Sequence, residues 1–269
     1  MKSRLLVAAV GVPLLLVILL ACPKFVTAIA LSLLCAVGSN ELLHTTGILR
    51  HKRMLIYCAV MAFLVPLWCL LGAPVSAGAA GVASFGLLLF VEALFSYPNV
   101  KFESVTGALF AAVLIPLCMS SLLRILLPEN GRLLVLIPIM VPFIADAGAY
   151  FAGRFFGKHK MAPVLSPHKT IEGAVGGVVT GIVSMLIYGL VMHLAFGRNY
   201  QFLWAAVIGL VGSLVSIVGD LSFSMVKRET GIKDYGTIFR AHGGVLDRFD
   251  SVIFAAPVIE LMMLLLPVI

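Results

Sequence analysis

Apolar residues run through this chain in nine long stretches, at roughly 5–22, 25–43, 54–72, 76–97, 105–127, 132–153, 173–196, 202–221 and 251–269. Each is about as long as the ~20 residues a helix needs to cross the hydrocarbon core of a bilayer. The runs are continuous, whereas barrel strands would alternate over about 10 residues. Backbone polar groups in lipid must pair within their own segment, which leaves helices. The pattern therefore predicts an all-α polytopic membrane protein of about nine transmembrane helices. Lys2 and Arg4 precede the first stretch as they would in a signal peptide. Its apolar run, however, exceeds the usual ~7–15 residues of such a segment, and no clear small-x-small cleavage site follows.

Composition agrees. Of the 269 residues, 61% are hydrophobic and 12% charged, against the roughly 25% charged expected of a soluble domain. The net charge of +7 gains meaning when mapped onto the loops. Only Lys24, Arg124, Arg132 and Arg198 fall on one side; the other fifteen Lys and Arg residues fall on the side of the N-terminus. The excess of basic residues marks the cytoplasmic face. The N-terminus is expected there and the C-terminus outside, with the polar loops 154–172 and 222–250 both cytoplasmic. No exposed basic domain exists to carry nucleic acid; the lipid bilayer is the expected partner, in a bacterial inner membrane. Cys22, Cys35, Cys58, Cys69 and Cys118 lie in or beside apolar runs without CxxC spacing, so they read as small core residues rather than metal ligands or disulfides.

The chain changes character after Pro138, where charges and glycines enter or abut the apolar runs. Residues 1–131 are expected to be a scaffold half and 132–269 a catalytic half of one membrane domain. Within the second half, 224–250 holds four acids, five Lys or Arg residues, a His and a Gly-Gly pair. Carboxylates at membrane depth are costly and usually face a cavity or a partner. Asp146 and Asp220 are such residues; either function or an ion pair between helices fits Asp146. If the helix carrying Asp220 continues, Lys227 lies two turns further along one face, with Arg228 beside it. Asp247 and Asp250 are three apart, on one face if a helix starts there; acids also simply favour a helix N-terminus. Magnesium is held by one or two carboxylates together with substrate phosphate oxygens, which Asp220 and Asp247 would supply. Gly243-Gly244 leaves room for a ligand and can take positive φ, so that successive N–H groups form an anion-binding concavity. His242 beside it can donate to a phosphate or shuttle a proton.

In the other loop, Ser166-Pro167 interrupts helix. Lys169-Thr170 then precedes a helix N-terminus, a setting suited to an oxyanion. Arg154, Lys158 and Lys160 fit topology or contact with anionic lipid. Glu41, Glu92 and Glu260 have no polar company in sequence and read as structurally paired acids.

These residues resemble the signature of the CDP-diacylglycerol synthases, or phosphatidate cytidylyltransferases. That pattern is met by Ser224, Lys227, Arg228, Lys233, Asp234, His242, Gly243, Gly244, Asp247, Arg248 and Asp250, and the runs 146–158 and 166–173 are similar too. Arg240, Ala147 and His168 depart from it. The resemblance implies that CTP and phosphatidate give CDP-diacylglycerol and pyrophosphate. It further implies a Mg2+ requirement with a second, monovalent cation (K+) assisting, and a homodimer. Asp220 and Asp247 would hold the metal. Lys227, Arg228, Lys233 and Arg248 would bind phosphates, with Lys169 on the phosphatidate head, and Asp234 and Asp250 would orient ligands or bases. Ser166, Thr170, Ser224, Gly243, Gly244 and Asp146 complete the expected substrate-binding set. A transporter would spread polar residues across the whole bilayer, whereas here they crowd one side. A CTP-dependent polyprenol kinase would release CDP, and the spaced Asp pattern of the CDP-alcohol phosphotransferases is missing.

Overall fold

A computed structural model describes residues 2–198, 200–238 and 243–266, with side chains from residue 11 onward. It is helical apart from one small hairpin. The elements are α1 (Lys2–Leu20), α2 (Lys24–Asn40), α3 (Lys52–Leu70), α4 (Val75–Phe95), α5 (Phe102–Leu109), α6 (Ile115–Met119), α7 (Ser121–Leu126), α8 (Gly131–Leu134) and α9 (Ile137–Phe156). They are followed by β1 (Lys160–Ala162), β2 (Ser166–Thr170), α10 (Ile171–Phe196), α11 (Phe202–Glu229) and α12 (Leu246–Leu265). Among the described residues, 7 helices are long and apolar enough to cross a membrane. α12 is also 20 residues long but carries Asp247, Arg248, Asp250 and Glu260.

The chain divides into two compact units. The first comprises residues 1–132 and 229–249. Here α2 continues into a single π-helical turn at Glu41–Thr45, and a second such turn, Phe110–Leu114, joins α5 to α6. The predicted span 105–127 is therefore one helical path broken into pieces. Its last break is the turn at Ser120, between α6 and α7. The unit's core draws on Leu31, Cys35, Leu43, Met54, Cys58 and Leu123. Lys24 Nζ donates to the Leu127 carbonyl at 2.6 Å, and Arg132 donates to the Leu20 carbonyl, so basic side chains tie off otherwise orphaned helix ends. Glu92 lies 3.7 Å from His51 Nε2 and 3.8 Å from Arg53.

The second unit comprises residues 133–228 and 250–269. α9 and α10 pack along their length through small residues, which let backbones approach where lipid offers no hydrophobic drive. A Cβ on Gly177 would stand 2.8 Å from the Ala145 carbonyl oxygen. Ile137, Val141, Met185, Ile208 and Ile259 join α9, α10, α11 and α12 in a common core. α10 ends at Gly197 in the left-handed conformation, φ 62°, where a Cβ would be penalised.

The two strands pair antiparallel, Lys160 opposite Thr170 and Ala162 opposite Ser166. Glu172, in the first turn of α10, closes the hairpin's base. Its carboxylate accepts from the Lys158 N–H at 3.0 Å and the His159 N–H at 3.2 Å, and lies 2.6 Å from His159 Nδ1.

Candidate functional site

In the second unit, α11 runs on to Glu229, eight residues past the predicted end of the span. Asp220, Ser224, Lys227 and Arg228 consequently share one helix. Asp220 pairs with Lys169 Nζ, an ion pair whose side chains are 25% (Lys) and 26% (Asp) exposed. The Ser224 hydroxyl lies one turn on and donates to Asp220 Oδ1 at 3.4 Å. Arg228 Nε donates to the Leu165 carbonyl at 3.0 Å. The hairpin is thus fastened to α11 at two points, and the two polar stretches marked in the sequence meet there.

The strand position of Lys169 follows from its neighbour. Thr170 is extended, φ −123° and ψ 156°, and its hydroxyl accepts from the Gly173 N–H at 3.1 Å as the N-cap of α10. Ser166 opens β2, half-buried, with His168 exposed beyond it.

Gly219 brings α11 against α12. A Cβ there would lie 2.9 Å from the Asp250 carbonyl oxygen and 3.3 Å from Ser251 Cα. Asp250 is buried, and its Oδ1 accepts from the Ser251 N–H at 2.8 Å. The Ser251 hydroxyl donates to Asp146 Oδ2 on α9 at 3.0 Å. Asp220, Asp146 and Lys227 are close enough to Asp250 to interact with it electrostatically. Acids from α9, α11 and α12, with Lys169 and Lys227, therefore form one charged cluster inside this unit. Ala147, one of the departures, is exposed.

The first unit holds the other part of the signature. α12 begins at Leu246, five residues ahead of the predicted span, so Asp247 lies in its first turn. Asp247 Oδ2 accepts from the Tyr235 N–H at 2.7 Å and the Gly244 N–H at 2.9 Å, closing the loop that precedes the helix. Gly243 has φ 77°, and a Cβ on it would lie 2.6 Å from the same oxygen, so glycine is required twice over. Lys233, Asp234 and Arg248 are exposed. His242 and Arg240 lie outside the described residues.

Sequence reasoning read Glu41 as a structurally paired acid and gave it no place in the site. Its carboxylate is buried and accepts from the Val245 N–H at 3.1 Å and the Leu246 N–H at 2.9 Å. The available signal was its depth: an acid inside the apolar run 25–43 carries a desolvation cost that something must offset.

Among the described residues, no three His, Cys, Asp or Glu side chains gather as a ready metal site. The donors nevertheless suit magnesium, which takes hard oxygen ligands and commonly only one or two from protein. Asp220 offers a partly exposed carboxylate already held beside a cation and a hydroxyl.

Comparison with known proteins bears on the whole chain, because the model of the cytidylyltransferase family matches residues 2–266. The chain belongs to the cytidylyltransferase family. It is 34% identical to the phosphatidate cytidylyltransferase of Haemophilus influenzae, over 96% of both chains. Identity to the enzyme of that name from Bacillus subtilis is 36% over 65% of both chains, and to that from Staphylococcus saprophyticus 40% over 51% of both. As a cytidylyltransferase-family chain, it places its signature residues on helix ends and on the loops entering them. Backbone amides and charged side chains are exposed together at such positions.

Proposed function

We propose that this chain is a phosphatidate cytidylyltransferase, making CDP-diacylglycerol and pyrophosphate from CTP and phosphatidate in phospholipid synthesis. The observation that carries the reading is the family match from residue 2 to residue 266, with a relative of that name aligned over nearly the full length of both chains. A phosphatidate phosphate oxygen forms a bond to the α-phosphorus of CTP. The bond from that phosphorus to the oxygen bridging to the β-phosphorus breaks, and pyrophosphate leaves. Both substrates are polyanions, so catalysis is mainly a matter of positioning and charge neutralisation.

Lys169 and Arg228 are the proposed phosphate-binding cations of the hairpin and α11, with Lys227, Lys233 and Arg248 further contributors and His242 a donor to phosphate. In the free protein Lys169 is held by Asp220, so it is already oriented and needs only to exchange one anion for another. Thr170 fixes the strand-to-helix turn beneath Lys169, and Ser224 steadies the Asp220 carboxylate. Asp220 and Asp247 are the proposed magnesium ligands, and the ion would neutralise phosphate charge during transfer. Asp146, Asp234 and Asp250 orient the bases, and a monovalent cation assists. The proposed setting is a homodimer in a bacterial inner membrane, with the polar loops 154–172 and 222–250 on the cytoplasmic side.

The reading is tested with purified protein, magnesium, CTP and phosphatidate. Pyrophosphate released only when both substrates are present, in step with a lipid-extractable cytidine product, supports it. CDP release would instead indicate a kinase.

A further inference from the structure

We infer that Glu41 is a positioning residue for this reaction: from α2 its carboxylate clamps the amides that open α12 and so sets where the Asp247 carboxylate and the Gly243-Gly244 backbone stand. The inference rests on the cytidylyltransferase reading and deepens it. Three observations converge on this one side chain.

The first is its bonding. The two oxygens are divided between two consecutive amides, Val245 N–H at 3.1 Å and Leu246 N–H at 2.9 Å, about two hundred residues away in sequence. These donors belong to a helix start, where N–H groups have no intrahelical partner and favour negative charge. The second is the fit around it. A Cβ on either Gly236 or Gly244 would collide with Glu41 Oε1. Both glycines thus keep a channel open for this carboxylate from opposite ends of the loop. The third is how Glu41 is presented. It is the first residue of the π-helical turn that ends α2, and such turns are frequent at functional sites.

Glu41 and Asp247 act on the same segment. Asp247 Oδ2 takes the Gly244 amide and the Tyr235 amide, and Glu41 takes the next two amides along. Residues 244–246 therefore donate three consecutive N–H groups to two carboxylates. Loss of Glu41 leaves two amides buried without an acceptor, at the point from which the Asp247 side chain and Arg248 project.

The test compares the full-length protein, in detergent–lipid micelles, with its Glu41→Gln and Glu41→Asp variants. Gln matches Glu in volume but turns an amide donor toward one of the N–H groups. Asp keeps both acceptor oxygens and the charge, set back by one methylene. Glu41→Gln is expected to lower kcat about 10–100-fold, the usual effect of removing an outer support, while leaving the phosphatidate KM in place. The thermal midpoint should fall by about a few degrees for the buried amide left facing a donor, without unfolding the protein at the assay temperature. Glu41→Asp should retain more kcat than Glu41→Gln. Hydrogen exchange at Val245 and Leu246 should quicken about tenfold in Glu41→Gln, by loss of protection at those amides.

Wild-type kcat in Glu41→Gln overturns the inference and leaves the function standing. So does the reverse order, Gln above Asp, since side-chain volume alone would give it. A loss of activity that only tracks the folded fraction also overturns it. If Glu41→Gln does not fold, Gly244→Ala displaces the same carboxylate from the other side, and unchanged kcat there counts against the clamp. A wild-type protein that makes no cytidine lipid overturns the functional reading and this inference with it.

Discussion

Replacing Lys169 with Met separates structure from chemistry at the centre of the second unit. Met keeps most of the side chain's apolar length and removes its charge. The lysine is paired with Asp220, and both side chains are about three-quarters buried. As a purely structural ion pair at this burial, its loss would leave Asp220 without a counter-charge beside other acids and cost on the order of 1–3 kcal/mol of stability. Lys169→Met would then lower the thermal midpoint and leave the turnover of the folded protein alone. As a preorganised cation that receives substrate phosphate, Lys169 also acts in the transition state: about 10²–10³ in kcat, or roughly 2.7–4 kcal/mol. The two readings thus differ by more than tenfold in one observable. The assay is initial-rate formation of lipid-extractable cytidine in mixed micelles, with thermal unfolding measured on the same preparations. We expect kcat per folded protein to fall at least about a hundredfold, with partial recovery in Lys169→Arg. A Lys169→Met protein keeping a third or more of wild-type kcat refutes the assignment and leaves the lysine a fastener between β2 and α11.

Other expectations follow from the same geometry. Gly219→Ala drives a methyl group to 2.9 Å from the Asp250 carbonyl, a backbone atom that cannot swing aside; it should cost about 1–3 kcal/mol, and an unchanged unfolding midpoint would mean that α11 and α12 approach less closely. Thr170→Ala removes the N-cap of α10 and should cost about 1 kcal/mol, which Thr170→Ser restores; equal stability of all three proteins would show that the cap contributes nothing. For topology, Val164 at the hairpin tip is 84% exposed. In a cysteine-free background, Val164→Cys should react with an impermeant thiol reagent in inside-out vesicles but not in intact cells, and the opposite pattern would invert the orientation.

Much of the fold was legible because lipid imposes one rule on every span, and a long apolar run obeys it visibly. The run at 25–43 corresponds to the helical path 24–45 and the run at 54–72 to α3, within two residues at each end. The boundaries that moved are those where charge enters a helix. α11 passes Asp220 and continues to Glu229, and α12 begins before Asp247. Hydropathy truncates both ends, although Lys and Glu are good helix formers. The hairpin was illegible for another reason. Its strands are 3 and 5 residues long and depend on Glu172 gripping two amides at their base, a contact without sequence periodicity. Asp146 and Asp250 were marked only as separate residues, and Ser251, which bonds Asp146, was not marked at all. What lets α11 come against Asp250 and Ser251 is a glycine, Gly219, whose role is to have no side chain. Glu41 was legible as an oddity, an acid in lipid, but its partners are backbone amides, which no residue type announces.

The most direct measurement follows the phosphorus atoms of CTP. Purified protein is given phosphatidate, magnesium and CTP labelled either at the α- or at the γ-phosphorus. The account predicts that α-label enters the lipid and γ-label leaves as pyrophosphate, and that Asp220→Asn abolishes both transfers. Label from the γ-position in the lipid, or full activity in Asp220→Asn, contradicts it.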